Sequence, residues 1–357
     1  MNFDTSEEQQ LFSDSVRRTL ARDYDFEARK RTLASEAGWS EQVWERFAEI
    51  GLTGLPFPAE HGGFGGGAVD LMGVMEAFGE ALVLEPYLAT VLAGRLVAQS
   101  PQARAILPAV VEGRLRLALA HGEIGARHRV DHVTASAWME GGHWRLEGEK
   151  AAVSGAPMAG RSVVPAQTSQ GIELFLATPD AVRAYRALDG TVCGDVVFRK
   201  AKADRLGGGL AALEEALDFG TALVCAEAVG VMKSACEATL EYLKTRKQFG
   251  VPIGSFQALQ HRMVDMFIAQ EQARSMACLA CSKVDANDGP RDRQRAVSAA
   301  KIRIADAARL ISQEAVQLHG GMGMTEELKV SHSFRRLTVL AVQFGDADHH
   351  LARFASL

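Results

Sequence analysis

Cysteine is scarce and scattered in this chain. Five in 357 residues, an odd number with no shared spacing, do not make a disulfide framework. The one redox-like spacing, Cys278 with Cys281, falls inside a helical pattern with no strand before it, and reads as a reduced structural thiol pair. A basic block is lacking too: the net charge is -5 and clusters such as Arg199–Lys202 are short. Nucleic acid is therefore not expected as the main partner, because phosphate neutralisation needs clustered Lys and Arg. No uninterrupted apolar run reaches the roughly 18 residues of a membrane span, and the acidic start Met1–Glu8 lacks the basic-then-apolar order of a signal peptide. The expectation is a cytoplasmic protein with no membrane span. His121, His128 and His132 lie in a loop-to-strand stretch without a fitting carboxylate or cysteine spacing, so no metal site is expected.

What the chain does have is enough apolar residue, 47% against 23% charged, to build two or three packed units at this length. Residues 1–117 read as a helical domain. Thr5–Glu8 opens the first helix with a capping pattern, and Ser40 opens another that carries Val43, Trp44, Phe47 and Ile50 at helical spacing. The Pro- and Gly-rich stretch Gly51–Gly67 interrupts them as a loop. From 118 to 208 the pattern alternates instead, in segments such as Val133–Met139, Ser162–Ala166 and Ile172–Leu176 separated by Gly-containing turns. That is a β domain, with turn density suiting a small barrel or sandwich of about seven strands. From 209 to 357 helical periods return in long segments, Ala211–Lys244, Gln257–Asn287 and Ala296–His319, with a shorter one from about Glu326 to Ala341. Short connections between them suit a four-helix bundle.

Two stretches stand out. In Thr245–Gln260, Gly250, Pro252 and Gly254 break a long helix before another starts near Phe256, and the corner gathers Arg246, Lys247, Gln248, Phe249, Phe256 and Gln257. Guanidinium forks suit diphosphates, and aromatic faces suit a flat ring. In Gln317–Gly323 a helix ends at Gly320 and Gly321, where missing side chains let a ligand approach the backbone. Alone, the first fits a solvated helix cap and the second a plain C-cap.

Together and in this order they resemble the flavin-binding signatures of the acyl-CoA dehydrogenase family, an R-K-x-F-G corner followed by F-Q and later Q-x-x-G-G-x-G. The resemblance covers essentially the whole chain. Leu55–Gly63 also resembles the family's L-P-x-x-x-G-G loop, and helical, β and helical-bundle domains are the family's order. It implies FAD, held by Arg246, Phe249, Phe256, Gln257, Gln317, Gly320 and Gly321, with Ser154 facing the ring; Asp346 and Asp348 read as helix caps or as contacts to the cofactor's hydroxyls. It also implies an acyl-CoA substrate, an electron-transfer flavoprotein or similar acceptor, and an oligomer, because the first corner reaches the cofactor across a subunit boundary.

The chemistry implied is α,β-dehydrogenation of the thioester, which needs a base for the α-proton while a hydride leaves the β-carbon. The family's base is a Glu before Gly-Thr near the C-terminus, or a Glu at the start of the long bundle helix. Here Phe344 stands before Gly345, and the helix-start alternative falls near Phe219–Thr221 without a carboxylate. Asp346, one residue beyond the motif glycine, and Glu227, two turns into the helix, are the remaining candidates. The family's T-E-P-G-x-G-S-D loop corresponds to His121–Arg129. Its W-I-T strand corresponds to Ala152–Ser154, which puts Ala152 where a tryptophan covers the ring.

These departures, with Glu85–Leu88 and the terminal F-G-D-x-D-x-H, resemble the smaller, partner-requiring subunits of heteromeric acyl-CoA dehydrogenases that act on dicarboxylyl or steroid side-chain thioesters. In such assemblies the companion chain can provide the base. A catalytically silent FAD- and CoA-binding subunit, and a flavin monooxygenase or oxidase on the same scaffold, are the alternatives.

Overall fold

The computed structural model describes residues 6–286 and 288–357. Thr5 and Asn287 lie outside the described residues. The first cap is built one residue on from the expected pattern: the Ser6 hydroxyl accepts from the Gln9 amide while the Gln9 side chain reaches back to Ser6, opening α1 (Glu7–Asp23).

The chain divides into two compact units. One comprises Arg31–Gly67 and Leu84–Gly220. Its helices are the end of α2 (Phe26–Ala34), α3 (Glu41–Glu49), α5 (Tyr87–Ala98) and α6 (Ala103–Val111). Ser40 caps α3 by accepting from the Val43 amide, and Val43, Trp44 and Phe47 are the buried face that the spacing indicated. The strands are β1 (Leu117–Leu119), β2 (Ser136–Glu140), β3 (His143–Ser154), β4 (Arg161–Thr168), β5 (Gly171–Ala177), β6 (Ala181–Arg186) and β7 (Val192–Gly207). The order β4-β2-β3-β7-β5 returns to β4 through a further β4–β5 pairing, so these five close a ring. β1 joins at β4 in parallel and β6 at β7. Leu146, Val164, Phe175, Val196 and Phe198 fill the interior.

The other unit comprises the chain up to Lys30, Ala68–Val83 and Thr221–Leu357. It holds α1, α4 (Ala68–Ala81), most of α7 (Gly209–Thr245), α8 (Gln257–Asp285), α9 (Pro290–His319), α10 (Lys329–Val342) and α11 (Ala347–Ser356). The three long helical segments and the shorter one read from the sequence correspond to α7 to α10, and α9 packs against α8, α10 and α11. α11 is an addition: only ten residues long and preceded by Gly345, it carries too short a period to stand out. α4 and α7 cross backbone to backbone. A Cβ on Gly79 would lie 2.0 Å from Glu227 O, and one on Gly230 would lie 1.9 Å from Glu76 O. α7 is long and apolar enough to cross a membrane, but its apolar window is 89% buried within the protein, as expected of a core helix.

Candidate functional site

The corner after α7 is a β-hairpin where the sequence suggested only a loop. Lys247–Gln248 pairs with Val251–Pro252, leaving Phe249 and Gly250 as the turn. Both have positive φ, +55° and +82°, the requirement of a type I′ turn. A phenylalanine in that first position costs roughly 1–2 kcal/mol of backbone strain. Its ring is 92% exposed, edge-on to Phe256 at 6.3 Å, so the strain goes into presenting an aromatic face outward. The Ile253 amide donates to Arg246 O at 2.8 Å and closes the corner. The Arg246 side chain is exposed and has no hydrogen-bond or ion-pair partner among the described residues. Gln257, the first residue of α8, is exposed too.

The second motif ends α9 beside the first. Tyr242, one turn before Arg246, stacks on His319, with ring centroids 4.4 Å apart. His319 Nδ1 lies 2.8 Å from Ala315 O, and burial holds its pKa below the usual imidazole value. A side chain at Gly320 or Gly321 would meet nothing within 4 Å, so the backbone there is open to a ligand, and Gln317 is exposed nearby on α9. An unpaired guanidinium, an outward aromatic face and an open glycine pair fit a ligand that combines a diphosphate with flat rings, as FAD does.

The turn between α10 and α11 holds Phe344, the residue that the motif resemblance sets at the base position. Phe344 is left-handed, φ +59°, and Gly345 follows with a conformation and packing that only glycine satisfies: its Cβ would lie 2.6 Å from His349 and 2.7 Å from His350. Lys301 of α9, fully buried, donates to Leu340 O and to Gln343 O, the latter at 2.8 Å. His350 Nε2 lies 3.1 Å from Phe344 O, and its Nδ1 lies 3.3 Å from Ser298 Oγ. Burial pulls Lys301 down to about 8. Burial, reinforced by the Lys301 charge, pulls His350 down to about 3. Asp346 caps α11, accepting from the His349 amide at 2.8 Å. Glu227, 3% exposed, is engaged by Arg336 Nε at 2.7 Å. Neither carboxylate stands at the turn as an uncommitted acceptor.

In the unit with the strands, Ser154 ends β3, exposed and opposite Cys193 of β7. The His121–Arg129 loop that departs from the family motif is held by a buried ion pair, Lys150 Nζ to Glu123 Oε1 at 2.5 Å. Glu123 also accepts from the Thr134 and Ala135 amides. Burial opposes ionisation of Glu123, but the donors from Lys150 and Thr134 outweigh it and hold its pKa below the ordinary value. His121 is pushed down to about 4 by burial.

Lys301 and the Tyr242–His319 pair were not singled out from the sequence, and His350 entered only as the last residue of the terminal motif, with no role assigned. The one signal for Lys301 is its place in an otherwise apolar stripe with Val297, Ala300 and Ile304.

Two family models match the chain: acyl-CoA dehydrogenase, N-terminal domain, over residues 6–114, and acyl-CoA dehydrogenase, C-terminal domain, over residues 207–356. The 3-(aryl)acrylate reductase of Clostridium sporogenes is 27% identical, over 93% of this chain and 94% of its own length. Acyl-CoA dehydrogenase IpdE2 of Mycobacterium tuberculosis is 29% identical, over 92% of this chain and 91% of its own. Among solved structures, a chain of the ChsE4-ChsE5 complex from Mycobacterium tuberculosis aligns with a TM-score of 0.92 and 26% identity, covering 100% of this chain and 98% of that one.

Proposed function

Because the chain belongs to the acyl-CoA dehydrogenase family, flavoprotein oxidoreductases acting on CH-CH bonds with FAD as cofactor, we propose that it works as one subunit of a heteromeric acyl-CoA dehydrogenase. A homologous partner chain supplies the base. The observation that carries this reading is that position 344 is Phe and that both candidate carboxylates are engaged elsewhere: Asp346 caps α11 and Glu227 is paired with Arg336. The likeness to a chain of the ChsE4-ChsE5 complex supports a two-chain assembly.

In this reading Arg246 binds the cofactor diphosphate and Phe249 and Phe256 offer apolar faces to its rings. Gln257, Gln317 and the Gly320–Gly321 backbone contact it, and the Ser154 hydroxyl faces the ring. The chemistry supplied by bound FAD is acceptance of the hydride that leaves the β-carbon of the acyl thioester. This chain binds and orients, and the α-proton leaves to a carboxylate it does not carry. Electron-transfer flavoprotein or a similar carrier takes the electrons onward.

General-base catalysis contributes about 10²–10⁴ in rate, so the isolated chain should bleach its flavin at least about 10²-fold more slowly than the complex when mixed anaerobically with an acyl-CoA. Equal bleaching rates for chain and complex would sink the proposal. Bleaching of neither without an added reductant would point to a monooxygenase on the same scaffold.

A further inference from the structure

Strand β3 shifts register against β7 between Lys150 and Val153. The bulge carries Ala152 at φ +55°, a left-handed backbone that side chains other than glycine's rarely adopt. Ala152 is exposed, so interior packing does not force it there; hydrogen bonds on both sides of the bulge do. The Ala151 amide donates to Gly122 O at 2.9 Å, and the Ala152 amide donates to Asp195 Oδ1 at 3.1 Å. Asp195 is itself fixed from β6, accepting from the Tyr185 hydroxyl at 2.8 Å and from the Arg183 guanidinium. Arg183, with the Ala152 amide adding to it, keeps the Asp195 carboxyl below its ordinary pKa, so it is a carboxylate at neutral pH. Ser154 stands two residues past the strained alanine, where regular pairing has resumed.

We infer that Asp195 is a positioning residue: its carboxylate holds the left-handed Ala152 bulge and thereby sets where the Ser154 hydroxyl meets the flavin ring. A strained residue whose amide is met by a side-chain carboxylate, with no interior packing to explain it, is the pattern of strain held for function. The inference rests on the proposed contact between Ser154 and the flavin.

The test uses the full chain with its partner, deflavinated and titrated with FAD, reading affinity and the position of the visible flavin bands. Asp195→Ala should weaken FAD on the order of two- to tenfold, the worth of one hydrogen bond, and move the bands as Ser154→Ala does. The double variant should go no further than either single one, because both act through one contact. Asp195→Asn, which keeps the acceptor, should stay near wild type. Ala152→Gly removes the cost of the left-handed backbone, so Asp195→Ala in that background should return to within about twofold of Ala152→Gly alone. That pair also answers the question if Asp195→Ala fails to fold. Wild-type affinity and bands in Asp195→Ala, with both shifted in Ser154→Ala, overturn the inference alone. No effect of Ser154→Ala overturns it together with the reading of Ser154 as a flavin contact.

Discussion

Tyr242 lies on His319 with planes 27° from parallel and centroids 4.4 Å apart. By that stack the end of α7, with Arg246 one turn on, is fastened to the end of α9, just before Gly320. Two motifs far apart in sequence become one surface. Replacing Tyr242 by Ala should loosen both, lowering FAD content in the purified complex without removing any group that touches the cofactor. Unchanged FAD content in that variant would show the stack to be incidental.

Arg246→Ala removes the unpaired guanidinium. Loss of a charge-assisted pair to the diphosphate should weaken FAD by about tenfold or more, read as the ratio of visible flavin absorbance to protein. Lys at this position should recover only part of it, since an ammonium lacks the planar fork.

Phe249→Gly separates folding from presentation. Glycine adopts the type I′ turn freely, so the isolated chain should gain up to about 1 kcal/mol in urea unfolding. FAD binding and assembly should fall because the exposed ring is gone. Gain in both would mean that the ring serves neither.

The two carboxylate candidates respond differently to amide substitution. Asparagine caps helices about as well as aspartate, so Asp346→Asn should leave the melting temperature nearly unchanged; a collapse of turnover with FAD still bound would identify Asp346 as the base. Glu227→Gln keeps an acceptor but removes the charge opposite the mostly buried Arg336 guanidinium and should destabilise the chain by about 1–3 kcal/mol, seen as a lowered unfolding midpoint, whatever happens to turnover.

Lys301 makes stability pH-dependent in a defined direction. Burial lowers its pKa from 10.5 to about 8, so between those values the unfolded chain binds the proton and the folded chain does not. Its contribution is therefore present in full above about 10.5 and is lost as pH falls through 8, where the ammonium must be buried charged. The unfolding free energy of wild type relative to Lys301→Met should rise by up to about 3 kcal/mol from pH 8 to pH 10.5. A flat difference across that window would show that Lys301 does not titrate there.

Much of this architecture is written locally. The switch from period 3.6 to period 2 and back separates helices from strands, because burying one face of each element demands that spacing. Ser40 capping α3 and Gly320 ending α9 were legible for the same reason: capping depends on a few adjacent residues. The proposed cofactor contacts Arg246 and Gln317, and the absence of Glu at 344, likewise rest on motifs and departures that lie within short windows.

What only the tertiary structure decided are relations across sequence distance. That Asp195 holds Ala152, that Glu227 is committed to Arg336, that Lys301 reaches the carbonyls ending α10 and that Tyr242 meets His319 are pairings no window contains. Even the Phe249–Gly250 hairpin was hidden, because its turn uses phenylalanine where local statistics call for Asn, Asp or Gly. Local propensity specifies elements; the positions of charges, rings and strained backbone are settled when those elements pack, where an unpaired buried group or a misplaced Cβ costs more than any propensity returns.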